Sequence, residues 1–80
     1  MSFLKWEFDG RGSWEAASVA VDDDGDHYVW KIDVFDDGDF VIDTREMVQA
    51  GVIADIPRCY PLFRDAVIHC ESEEAKIRQA

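Results

Sequence analysis

Near residue 44 the apolar residues of this sequence change their spacing, from every second position to every third or fourth. Alternation buries one face of a strand, whereas the wider spacing buries one stripe of a helix. Neither surface is stable alone, so a chain carrying both in succession must lay its helices against one face of its sheet. The expected fold class is α+β: a four-stranded antiparallel β-meander with one short and one long C-terminal helix packed on one face. At 80 residues the chain makes one compact domain over positions 1–80, with no room for a second core.

Leu4, Trp6 and Phe8 alternate with Lys5 and Glu7 in the first strand, and Asp9-Gly10-Arg11-Gly12 ends it with a turn signal. Trp14 to Val21 is the second strand. Ala16, Ser18 and Ala20 share one parity and Ala17, Val19 and Val21 the other, so its inward face stays open. Asp22-Asp23-Asp24-Gly25-Asp26 turns the chain into a third strand, where Tyr28, Trp30, Ile32 and Val34 oppose His27, Lys31 and Asp33. Asp37-Gly38 is a strong hairpin signal, and Phe40 and Ile42 continue the apolar face beyond it. Short turns between consecutive strands favour an antiparallel meander with one buried and one wet face. Trp14 and Phe35 fall off the core parity and are expected at the surface.

After the sheet, Thr44 is placed to cap a short helix over Arg45 to Ala50, with Gly51 ending it. Val52 to Pro57 reads as a connector whose apolar residues reach the core. Pro61 suits the first turn of the long helix, whose stripe is Phe63, Val67, Cys70 and Ile77 with Ala66 beside it. Glu74 and Arg78 are spaced for an i, i+4 ion pair. Cys59 and Cys70, if both helical, lie about 16 Å apart along the axis and are expected to be free thiols. Charges begin by Lys5, and no apolar run approaches the roughly 20 residues of a membrane span. A cytoplasmic, monomeric protein is the simplest expectation.

The charge is the unusual property. Eighteen Asp and Glu face eight Lys and Arg, a net charge of −10. Nine of the acids fall between positions 22 and 43: Asp22, Asp23, Asp24, Asp26, Asp33, Asp36, Asp37, Asp39 and Asp43. Lys31 is the only Lys or Arg in that window, which carries −8. Nucleic acid and anionic membrane would be repelled by such a field. A meander puts the two acidic turns at opposite ends of the third strand, with Asp33 and Asp43 between them. This predicts an acidic stripe, about 30 Å long at roughly 3.3 Å per residue, that a basic DNA-binding groove would accept in place of phosphates.

Other chemistries fit the residues less well. Neither acidic turn meets the EF-hand pattern, since position twelve is Lys31 in one frame and Thr44 in the other. A weak calcium site outside that pattern stays open. Zinc would need Cys59, Cys70, His27 and His69 without any close cysteine pair. No nucleophile elbow or phosphate-cradling glycine loop is present, so neither a cofactor nor an enzymatic activity is expected.

With its Asp22–Asp26 and Asp36–Asp39 runs, its small size and a meander followed by a helix, the chain resembles the small phage-encoded anti-CRISPR proteins. That resemblance implies a non-enzymatic inhibitor whose acidic, DNA-mimicking surface blocks the basic nucleic-acid-binding groove of a host defence complex. A CRISPR effector is the partner it suggests, and the nine window aspartates are the partner-binding candidates from the charge pattern. The alternative is a structural or regulatory adaptor that binds a protein through exposed Trp14 and Phe35.

Overall fold

The computed structural model of the chain describes residues 4–54 and 59–79. One antiparallel sheet holds β1 (Glu7–Phe8), β2 (Ser13–Val21), β3 (His27–Val34), β4 (Phe40–Asp43) and β5 (Cys59–Tyr60), adjacent in chain order. Helix α1 (Arg45–Gln49) follows β4, and α2 (Phe63–Gln79) lies against one face of the sheet. The α+β class and the meander are those expected from the alternation. The strand count is not, because Cys59 and Tyr60 add a fifth strand beside Val41 and Phe40. Two residues are too few to display a period. Cys59 therefore lies outside the helix, and the helical spacing from Cys70 does not apply. Both thiols are free, Cys59 exposed and Cys70 buried.

The core is centred on β3. Trp30 and Ile32 are fully buried, Ile32 between Trp14 and Ile42 in the cross-strand row and Trp30 opposite Ala16. The small Ala16 side chain leaves space for the indole, and Ala16 and Ser18 fix the inward face of β2. Trp14 shares that face and is half-buried, its ring 5.0 Å from Phe8 and 5.2 Å from Phe63. The expectation of an exposed Trp14 is thus corrected; Phe35 is exposed as expected.

Gly25 and Gly38 hold φ of +85° and +90° at the two acidic turns, in the region where a Cβ is strained. Thr44 precedes α1 but makes no side-chain capping bond, and its buried hydroxyl has no partner among the described residues. The helix stops at Gln49. Gly51 N–H donates to the Val48 carbonyl and Val52 N–H to that of Met47, which satisfies two carbonyls of the last turn. Ile53 is buried and Val52 half-buried; Asp55, Ile56 and Pro57 lie outside the described residues. Helix α2 begins at Phe63 instead of Pro61, with the Leu62 carbonyl accepting from Asp65 and Ala66 N–H. Its buried residues are Ala66, Cys70 and Glu74.

Candidate acidic interface

The β2–β3 turn is organised by its first aspartate. Asp22 Oδ1 accepts from the N–H groups of Asp24 and Asp26, at 2.9 and 3.0 Å. The β3–β4 turn repeats the device, with Asp37 Oδ1 accepting from Asp39 N–H at 3.0 Å. A short side-chain acceptor holding a backbone donor two residues on is the reason Asp suits such turns. Among the described residues none of the seven turn aspartates, Asp22, Asp23, Asp24, Asp26, Asp36, Asp37 and Asp39, has an ion pair.

Between the turns the outer sheet face is of mixed charge. Glu7, Glu15, Lys31 and Asp43 form one cross-strand row. Arg45 grips Asp43 with two bonds, Nε to Oδ1 and Nη2 to Oδ2, both 3.2 Å. These bonds hold the Asp43 carboxyl below its ordinary range against a smaller opposing effect of burial. Asp33 accepts from Ser13 Oγ at 2.5 Å. The nine window aspartates are therefore divided: seven make two poles at opposite ends of β3, while Asp33 and Asp43 are held by neighbours on the face between. A single continuous stripe is interrupted at Lys31 and Arg45.

A carboxylate outside the window positions the first pole. Pairing between β2 and β3 slips after Ala17, so that Ser18, Val19 and Ala20 stand opposite Tyr28 alone. Glu74 fills the irregularity from α2. Its Oε1 accepts from Ser18 Oγ at 2.5 Å and from Trp30 Nε1 at 3.0 Å, and its Oε2 accepts from Val19 N–H at 2.9 Å and Arg78 Nε at 3.1 Å. Ser18 Oγ in turn accepts from Ala20 N–H, and His27 Nδ1 lies 2.7 Å from the Ser18 carbonyl. Burial pushes the Glu74 carboxyl up, but its bonds to Ser18, Trp30 and Val19 and the charge of Arg78 outweigh that and hold it below the ordinary range. The i, i+4 pair expected of Glu74 and Arg78 is present, but its spacing did not show that Glu74 has no exposed surface. The sequence signal was its position, four residues after Cys70 and three before Ile77, on the stripe facing the sheet.

Two further features lie apart from the poles. The Tyr60 hydroxyl bonds His69 Nδ1, and His69 Nε2 is 3.8 Å from Glu73. A cleft of about 520 Å³ between the outer sheet face and α1 is lined by both signs of charge, including Glu15, Lys31, Asp43 and Arg45. Among the described residues no three His, Cys, Asp or Glu side chains converge to hold a metal, and no helix is long and apolar enough to cross a membrane. Comparison with known protein families, characterised proteins and solved structures finds no match for the chain.

Proposed function

We propose that this protein is a non-enzymatic inhibitor that offers its two acidic poles to the basic nucleic-acid-binding groove of a protein or complex, in the manner of anti-CRISPR DNA mimics. The observation carrying this reading is the placement of seven unpaired aspartates at the two ends of β3. Eight residues of strand separate the poles by about 26 Å at roughly 3.3 Å each, near three-quarters of a turn of B-DNA. Charges held on hydrogen-bonded turns, with no ion pair among the described residues, present a field that steers a basic partner over a distance that salt shortens. The alternative adaptor reading keeps Phe35 as an exposed anchor but loses Trp14, which packs between Phe8 and Phe63.

The test is capture from lysate with wild-type bait and with a bait carrying Asn at the nine window aspartates, at low and high salt. Captured material is then assayed for duplex DNA binding with and without added protein. The expected result is recovery of a nucleic-acid-binding complex by wild type alone, weakened by salt, with its DNA binding blocked. Capture of the same partner by both baits at high salt would overturn the proposal. Glu74 is left intact in both baits, because its removal would test folding.

A further inference from the structure

The two poles differ in what surrounds them. Of the large apolar side chains left exposed, the aromatic ones, Phe8 and Phe35, both lie at the end of the sheet that carries the 36–39 turn. The β1–β2 turn is at the same end, joined there by the bond from Val34 N–H to the Gly12 carbonyl. Exposed Val34 and Leu62 belong to this end as well, one closing β3 and the other preceding α2. Behind Phe8 runs a chain of ring contacts through Trp14 and Phe63 to Phe40, at 5.0, 5.2 and 5.6 Å. At the tip, Val34, Phe35, Asp36 and Asp37 line one shallow groove of about 420 Å³, which sets exposed Phe35 beside two aspartates. At the opposite pole Val21, Asp22, Asp23, Asp24 and Tyr28 share a cleft of about 480 Å³, but Tyr28 is half-buried, and the large apolar side chains exposed beside these aspartates are the valines Val19 and Val21.

We infer that the 36–39 end is the docking end, and that the groove of Val34, Phe35, Asp36 and Asp37 accepts an arginine of a basic partner protein. This rests on the reading of the chain as a ligand for a basic surface. Charge complementarity selects a cation, and the aromatic wall selects which one. A guanidinium is planar and weakly hydrated: it lies against an aromatic ring and donates in a fork to carboxylates, with its aliphatic stem on apolar surface. A lysine ammonium keeps its water and uses only the charge. Exposed aromatic residues are also the kind that dominate interface energetics, while the 22–26 pole, whose Tyr28 is half-buried, contributes long-range attraction.

The test uses the full chain and two probes, an oligoarginine and an oligolysine peptide of equal length, titrated while the amide resonances of the protein are followed. Two variants remove equal charge, D36N/D37N/D39N and D23N/D24N/D26N; a third is Phe35→Ser. Asn at position 37 keeps the acceptor for Asp39 N–H, and thermal melts confirm that each variant is folded. Oligoarginine is expected to bind wild type several-fold more tightly than oligolysine, with resonance shifts around residues 34–39. D36N/D37N/D39N should weaken it about tenfold and D23N/D24N/D26N about twofold, while Phe35→Ser abolishes the preference for arginine. Equal weakening by both triple variants, or equal binding of the two peptides, would overturn the docking-end inference and leave the acidic mimic standing. Loss of affinity in neither triple variant would overturn both.

Discussion

Glu74 and the turn aspartates are the same chemical group in opposite surroundings. Glu74 has no exposed surface and accepts from Ser18, Trp30, Val19 and Arg78. The turn aspartates face water, and their bonds are to backbone donors within their own loops. Glu74, the one buried acid among the described residues, joins α2, β2 and β3, so it acts on the fold. The seven turn aspartates, five exposed and two half-buried, leave the core untouched and load the surface with charge. The charge of those seven is therefore free to change with little loss of structure, and that of Glu74 is not.

The largest effect that would break this contrast is on Glu74. Glu74→Ala leaves the Trp30 indole N–H, the Val19 amide and the Ser18 hydroxyl buried without their acceptor. Removing one side of such a network costs about 3–5 kcal/mol, a large share of what a domain of this size has. A thermal melt should fall by more than about 15 °C, with Glu74→Gln, which keeps one oxygen, falling less. A melt for Glu74→Ala within a few degrees of wild type would remove the distinction altogether.

Acid titration sharpens the same contrast at intermediate size. The folded Glu74 carboxyl is held below its ordinary range, so the stability it contributes is fully present above about pH 4.3. It is lost as pH falls through the lower folded value, when protonation takes an acceptor from the donors around it. Wild type should lose melting temperature as pH falls below about 4.3, and Glu74→Gln should lose much less over the same range.

The smallest effects belong to the turns. Asp22→Ala removes the acceptor for two amides and should cost about 1 kcal/mol, whereas Asp22→Asn keeps it and should be nearly neutral. D23N/D24N/D26N and D36N/D37N/D39N should raise the melting temperature by a few degrees at low salt and by nothing at high salt, since only like-charge repulsion is relieved.

These differences also explain what was legible beforehand. The β3 face, both acidic turns and the Gly51 stop depend on neighbours in sequence, and each had a local signal. The role of Glu74 depends on Ser18, 56 residues away, and on a pairing slip in β2 that alternation conceals. On the helix, a carboxylate where an apolar residue belonged was the visible trace. Trp14 was misjudged because burial at that position comes from Phe63 on α2, not from its own strand. The two-residue β5 left no pattern to read.

The brevity of β1 and β5 has a consequence for self-association. β3 lies inside the sheet between β2 and β4, whereas β1 covers β2 only at Trp14 and Glu15 and leaves positions 16–21 of β2 as an outer edge. Unpaired backbone along an outer strand is what templates strand addition between molecules, and on β2 that template is broken by the pairing slip after Ala17 and by side-chain acceptors on the Val19 and Ala20 N–H groups. A chain of net charge −10 also repels its own copies. Concentrated solutions should therefore resist fibril formation even when heated near the melting transition, and recognition of this protein by an added β-strand is disfavoured in comparison with contact through its turns.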